Sequence, residues 1–212
     1  MLSPAMDCNV RFIYFDLGKV LVDFDVDRMC RQMAEVVGTS PEAIHHVLYE
    51  GGLQRKYELG LVTTQEFYEL FCKELGSWSD PKRLLEAACD IFSLNVPVIP
   101  LVTRLAAVRF PIGVLSNTCE AHWDYIYRRF RGVMELFPVG CASFQCHALK
   151  PESAIFHYAA ELAGCKPQEI FFVDDHPPNV AGAQAMGFQA VRFCGVEALL
   201  TELEMRGIAP LL

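Results

Sequence analysis

The sequence predicts an α/β protein: a three-layer core around a parallel sheet, with an all-helical cap inserted into it. Three observations predict it. Short unbroken apolar runs end abruptly in polar residues, amphipathic helical patterns separate those runs, and the stretch after the first run is helical almost throughout.

The first run, Phe12-Ile13-Tyr14-Phe15, ends at Asp16 with Gly18 close behind. A short continuous apolar run is how a strand buried on both faces reads. Pro111 to Leu115 ends at Ser116 and Asn117, Glu169 to Val173 ends at Asp174 and Asp175, and Gly187 to Phe193 closes the series, with Gly140 to Ser143 a candidate fifth strand. Helical patterns lie between them: Val98 to Val108 carries Val98, Leu101, Val102 and Leu105 on one face, Ser153 to Ala163 carries Ile155, Tyr158, Ala159 and Leu162, and Asn179 to Met186 makes a shorter helix. Such alternation implies a Rossmann-like core whose functional crevice lies at the carboxyl ends of the strands.

From Val26 to Phe92 the rhythm changes. Asp27 to Val37, Pro41 to Tyr49, Thr64 to Leu75 and Pro81 to Phe92 each place apolar residues at helical spacing. Thr63 or Thr64 is a candidate N-cap, Gly76 a C-terminal stop, and Asp80 before Pro81 a second start signal. The expected division is a core of residues 1–24 and 93–212 and a helical cap of residues 25–92.

A chain of 212 residues with 52% hydrophobic and 21% charged residues is long and apolar enough for one sizeable core with an insertion. The net charge of -8 argues against non-specific nucleic-acid binding, and the longest basic cluster, Arg128, Arg129 and Arg131, reads as a solvated helix end. No apolar run reaches the roughly 18 residues that span a bilayer, and Met1 to Arg11 lacks the features of a signal peptide. The nine cysteines, Cys8, Cys30, Cys72, Cys89, Cys119, Cys141, Cys146, Cys165 and Cys194, show no C-x-x-C pair and are expected to be reduced core thiols. The expectation is a cytoplasmic protein without nucleic-acid or membrane partners, either monomer or homodimer.

Asp16, Ser116-Asn117, Lys150 and Asp174-Asp175 fall at strand or loop ends, and their convergence on one crevice suits phosphoryl transfer. A carboxylate can attack phosphorus and hold a covalent intermediate. A lysine and a hydroxyl stabilise the phosphoryl oxygens, and paired acids at a buried site call for a cation such as Mg2+. Taken singly, each residue reads equally well as a cap or a turn.

In order, Phe15-Asp16-Leu17-Gly18-Lys19-Val20-Leu21, Leu115-Ser116-Asn117-Thr118, Lys150-Pro151 and Phe172-Val173-Asp174-Asp175 resemble the four motifs of haloacid dehalogenase-like hydrolases, over about residues 12 to 193. The resemblance extends through Asn179-Val180, Ala183 and Gly187. It implies Asp16 as nucleophile and magnesium ligand, Gly18 as a ligand through its carbonyl, and Ser116 and the Asn117 backbone as phosphoryl-binding groups. Lys150 would neutralise charge, Asp175 would ligate the metal, and Asp174 would ligate it directly or through water. Asn179 would order that loop. The implied activity is magnesium-dependent hydrolysis of a small phosphorylated metabolite through an aspartyl-phosphate.

The family's usual phosphatases carry a second aspartate where this chain has Gly18. This D-x-G form resembles a branch that includes bacterial sugar-phosphate phosphatases acting on α-glucose 1-phosphate. His122, a histidine in that branch too, is a candidate for substrate binding and for the missing proton donor; it reads equally well as a surface histidine on a helix beginning near Cys119. Two other readings stay open: a metal-independent 2-haloacid dehalogenase, and a weakly active phospholigand-binding or regulatory protein. Arg55, Lys56 and Tyr57 either reach a sugar or form the exposed side of a cap helix. Asp23, Asp25 and Asp27 read as a solvated linker, and His45-His46 as no metal pair. His147 and His176 flank the lysine and acid loops.

Overall fold

The computed structural model describes residues 9–208, so the thiol expected at Cys8 and most of the Met1 to Arg11 stretch lie outside the described residues. In chain order the elements are β1 (Phe12–Phe15), β2 (Val22–Phe24), α1 (Val26–Val37), α2 (Pro41–His45), a π-helical turn at His46–Glu50, α3 (Leu53–Glu58), α4 (Thr64–Leu75), α5 (Pro81–Cys89) and β3 (Phe92–Leu94). There follow α6 (Ile99–Ala107), β4 (Ile112–Ser116), α7 (Glu120–Arg129), α8 (Arg131–Met134), β5 (Val139–Ala142), α9 (Ser143–Cys146), α10 (Ser153–Ala163), β6 (Ile170–Asp174), α11 (Pro177–Ala185), β7 (Gln189–Arg192) and α12 (Val196–Met205).

Five strands form a parallel sheet in the order β5-β4-β1-β6-β7, the Rossmann-like arrangement that the apolar runs predict. The side-chain period of two sorts β1 between two layers. Ile13 and Phe15 join Val114, Phe171 and Val173 against Leu101, Val102 and Leu105 of α6 and Leu199 and Leu203 of α12. Phe12 and Tyr14 join Leu115 and Phe172 against Ile155, Phe156 and Ala159 of α10 and Ala183 of α11. Tyr14 satisfies its buried hydroxyl by donating to the Ala159 carbonyl at 2.9 Å. Register then fixes the site: Phe15 lies opposite both Val114 and Val173, so Asp16 emerges at the same sheet edge as the ends of β4 and β6.

The helical insertion has its own apolar cluster, built from Met33, Ile44, Leu48, Tyr57, Phe67, Phe71 and Leu84. Asp25 caps α1 by accepting from the Arg28 amide, and Asp80 caps α5 by accepting from the Arg83 amide. Thr63, not Thr64, caps α4, in a reciprocal box with Glu66, and Gly76 ends that helix in the left-handed conformation.

The structure departs from the sequence reading in four places. The acidic linker is in part a strand: β2 pairs antiparallel with β3, matching Val22 to Leu94 and Phe24 to Phe92. Strands this short lack the length from which a period of two is recognised. The fourth expected helix stops at Cys89, because Phe92 is taken up by that pairing, and Pro41 to Tyr49 changes to π geometry at His46. The short α3, at Leu53–Glu58, interrupts the connection expected before Thr64. Among the described residues no helix is long and apolar enough to cross a membrane.

Gly113, in the centre of β4, is required by the packing of β1 behind it. A Cβ there would lie 2.8 Å from the Val139 carbonyl oxygen and 2.9 Å from the Tyr14 ring. Gly113→Ala is therefore expected to cost about 1–3 kcal/mol through overpacking, read as a lower urea midpoint at unchanged m-value.

Candidate active site

The site begins where β1 stops. The Asp16 amide donates to the Val173 carbonyl at 2.8 Å, which continues the β1–β6 ladder by one residue and fixes the base of the aspartate. Its side chain turns back so that Oδ1 accepts from the Leu17 amide at 2.7 Å. The chain then makes a tight loop, with Lys19 at a φ of 60° and its amide donating to the Val22 carbonyl. Gly18 stands in this loop against Phe24. A Cβ at position 18 would come within 2.8 Å of the Phe24 ring, so a side chain at the place where the resembled phosphatases carry a second acid would require that ring to shift.

Lys150 arrives from the loop after α9 and is almost wholly buried. Its ammonium meets Asp16 Oδ1 at 2.8 Å and Asp174 Oδ2 at 2.6 Å, and donates to the Leu115 carbonyl at 3.0 Å. Three donors thus meet three acceptors. Asn117 holds the lysine backbone from the opposite side: its Oδ1 accepts from the Lys150 amide at 2.7 Å and its Nδ2 donates to the Lys150 carbonyl at 3.0 Å. That side-chain role was not legible in the sequence. It leaves the Asn117 backbone as its remaining group for an anion.

Asp174 is fully buried at the end of β6 and is held on every side. Besides Lys150, it accepts from the His176 amide at 2.8 Å and, at both carboxylate oxygens, from Asn179 Nδ2 at 3.1 Å. The ring of His176 plays no part in these contacts. Asp175 is only half-buried. Oxygen atoms of Asp16, Asp174 and Asp175 all lie within 4.8 Å of one another.

The electrostatics follow from this crowding. Burial pushes the Asp16 carboxyl up; Lys150 opposes the shift and Asp174 adds to it, leaving the group at about 7. Burial and Asp174 likewise raise Asp175. Lys150 is depressed by its own burial, but Asp16 and Asp174 outweigh that and hold it above the usual lysine range. Three carboxyls around one ammonium leave a deficit of positive charge. An all-oxygen donor set of this kind fits a hard divalent cation such as magnesium.

Ser116 is buried at the end of β4, and among the described residues its hydroxyl makes only a long 3.4 Å contact, with the Asn117 carbonyl. Beyond it opens a crevice of about 90 Å3 between the sheet edge and the helical insertion. Gly18, Ser116, Asn117, Thr118 and His122 line one side, and Tyr49, Gln54 and Glu58 contribute from the insertion.

His122 therefore does face the crevice, but the structure does not support it as the proton donor. Its Nε2 lies 3.2 Å from the Ala88 carbonyl, and its ring packs edge-on to Phe92. Burial pulls its pKa down to about 4, so the ring is neutral at neutral pH. Of the residues singled out on α3, Arg55 and Lys56 face outward, with Arg55 3.5 Å from Glu152, while Tyr57 is buried. The crevice is reached instead by Gln54 and Glu58, a pair four residues apart that the sequence analysis passed over. His45 and His46 each approach Glu50 at the surface, and His147 Nδ1 sits 2.9 Å from the Leu59 carbonyl.

A family model described as haloacid dehalogenase-like hydrolase matches residues 10–187. A glyceraldehyde 3-phosphate phosphatase from Methanopyrus kandleri is 28% identical over 134 residues, 59% of this chain and 57% of that protein, so the chain spans little more than half the length of this curated relative. A HAD family enzyme from Bacteroides thetaiotaomicron, solved as a complex with magnesium and inorganic phosphate, superposes with a TM-score of 0.77 at 25% identity, over 86% of this chain and 93% of that one. An L-2-haloacid dehalogenase from Xanthobacter autotrophicus, with chloropropionic acid covalently bound, shares the fold with a TM-score of 0.63 at 21% identity, over 95% of this chain and 85% of that one.

Lys150→Ala leaves Asp16 and Asp174 facing each other without their cation. It is expected to lower the stability of the metal-free protein by about 3–5 kcal/mol, measured by urea denaturation. The His122 ring should titrate by NMR near 4. An unfolded chain takes up that proton near 6.5, so folding stability is expected to fall as the pH drops from there towards 4. His122→Gln should remove that part of the dependence.

Proposed function

The chain belongs to the haloacid dehalogenase-like hydrolases, and on that premise we propose that it is a magnesium-dependent phosphatase acting on a small phosphorylated metabolite through an aspartyl-phosphate at Asp16. The observation that carries this reading is the cluster of Asp16, Asp174 and Asp175 around Lys150. A metal-free displacement gives no reason to gather three carboxyls about one ammonium, whereas a cation and a phosphoryl group together make use of all of them. The Bacteroides relative was solved with both magnesium and phosphate, and the Methanopyrus relative is named for a three-carbon phosphate ester.

The roles follow from position. Asp16 would attack phosphorus, its oxygen aimed by the Leu17 amide and by Lys150. The Ser116 hydroxyl and the Asn117 backbone would hold the phosphoryl oxygens, with Lys150 balancing charge between nucleophile and phosphoryl group. Asp175 and Asp16 carboxylates and the Gly18 carbonyl would hold magnesium, which when bound supplies compensation for the phosphoryl charge. Asp174, with its oxygens already engaged, would anchor Lys150 rather than ligate directly. Residues 25–92 would act as the cap over residues 1–24 and 93–212. A crevice of about 90 Å3 suits a small leaving alcohol, a short sugar or polyol among them.

The test is phosphate release from a panel of phosphorylated metabolites, with magnesium and with a chelator. Release is expected only with the metal, and Asp16→Asn should lower it by at least about a thousandfold, the scale on which loss of a covalent nucleophile acts. Activity that survives chelation, or that Asp16→Asn leaves intact, overturns the reading.

A further inference from the structure

A leaving alkoxide needs a proton, and position 18, where the resembled phosphatases carry an acid, has no side chain and is packed against the Phe24 ring. The facing wall of the crevice provides a carboxyl from another element. Glu58, the last residue of α3, lines the same cavity as Gly18, Ser116, Asn117 and Thr118. We propose that Glu58 is a catalytic residue of this chain, the general acid and base that reaches the leaving-group oxygen from the helical insertion. The proposal rests on the phosphatase reading above.

The placement of Glu58 is set by the core rather than by the insertion alone. Ser143, at the end of β5, donates its hydroxyl to the Glu58 carbonyl at 2.6 Å and accepts from the Thr118 amide at 3.0 Å. The Ala121 amide donates to the Tyr57 hydroxyl at 3.1 Å, and His147 Nδ1 contacts the Leu59 carbonyl at 2.9 Å. The carboxyl end of α3 is thus tied to the loops that follow β4 and β5, and the first of these carries the phosphoryl-binding residues. A group held this way keeps its distance from the reacting phosphorus, which proton transfer requires.

The side chain is also prepared for the role. Gln54 is buried and donates Nε2 to Glu58 Oε1 at 2.9 Å; among the described residues it is the one side chain that hydrogen-bonds this carboxyl, so Oε2 is left for the cavity. Burial raises the Glu58 carboxyl above its ordinary range, against the smaller opposing pulls of Gln54 and Arg55. The other groups about it are Tyr49 and Cys119, both pushed up by burial and uncharged at neutral pH, the neutral His122, and Arg55 on the outer side of α3. Neither Tyr49 nor His122, which share its pocket, nor the buried Cys119 supplies a positive charge that would hold the glutamate ionised.

The chemistry balances. As an Asp16 oxygen bonds to phosphorus and the ester P–O bond breaks, the protonated Glu58 gives its proton to the departing oxygen and an alcohol leaves. Glu58, now a carboxylate, then takes a proton from water as that water attacks the aspartyl-phosphate. Inorganic phosphate is released, Asp16 is restored as a carboxylate, and Glu58 is protonated again.

Acetyl phosphate and ethyl phosphate separate this role from binding or folding, because they are close in size but leave as acetate, which needs no proton, and as ethoxide, which does. Glu58→Gln keeps the shape of the side chain and its hydrogen-bonding to Gln54. It is expected to lower kcat/KM for ethyl phosphate by about 100- to 10,000-fold, the usual worth of acid–base help, to leave kcat/KM for acetyl phosphate, which reports only the steps up to the aspartyl-phosphate, nearly unchanged, and to remove the high-pH fall in the wild-type ethyl phosphate profile. Equal losses of kcat/KM on both substrates, or no loss on ethyl phosphate, overturn the assignment of Glu58 while the phosphatase reading stands. A wild-type chain that is inert toward both, with magnesium present, overturns the phosphatase reading and this proposal with it.

Discussion

The Lys150 ammonium, shared between Asp16, Asp174 and the Leu115 carbonyl, is the contact on which the rest of the site depends. An unpaired charge at this depth is strongly unfavourable, and two carboxylates without a cation are worse. The fold answers by bringing three neighbouring strands to a common edge. β1 delivers Asp16, β6 delivers Asp174, and β4 delivers the carbonyl of Leu115. A slip of one residue in either pairing would turn these groups to the opposite face and strand the lysine. The apolar side chains of β1, sorted alternately into two layers, hold that register, so the packing of the sheet and the charge balance of the site are one constraint.

A second dependence links the first loop to the helical insertion. Phe24 closes the space above Gly18 and belongs to β2, whose pairing with β3 marks the entry to and exit from the insertion. The ring packed against Gly18 is therefore part of the ribbon that carries the helices. α3 is in turn bound to the core through Ser143, Ala121 and His147. The insertion is attached at both ends of the crevice, by strands on one side and by hydrogen bonds on the other.

Much of this was legible in the sequence, for physical reasons. Strands buried on both faces leave unbroken apolar runs, so the strands of the main sheet could be read from their composition, and the polar residue that ends each run marks the crevice. Asp16, Ser116, Lys150, Asp174 and Asp175 are brought together because each stands at such an end or in the loop beside it. What escaped was short or relational. β2 and β3 are too brief to show a period, and the value of Asp23 and Phe24 as strand residues lies in a partner about seventy positions away. The grip of Asn117 on the Lys150 backbone and the burial of His122 against Phe92 depend on contacts between distant segments.

Gln54 and Glu58 show where a usable signal was present. On α3, Leu53 and Tyr57 are the buried apolar pair at a spacing of four, and Gln54 and Glu58 follow one position on at the same spacing. The second pair therefore lies beside the buried stripe, whereas Arg55 and Lys56 point to solvent. Charge alone had drawn attention to the two cations, yet a polar pair flanking an apolar stripe is the pattern that meets a partly dry cavity. The same geometry accounts for the chemistry open to each group. Solvated cations on the outer face keep ordinary properties, while a carboxyl at the rim of the core loses hydration and holds its proton more tightly. The fold thus sets Phe24 over Gly18, where no acid stands, and brings a carboxyl to the facing wall by turning α3 onto the ends of the sheet.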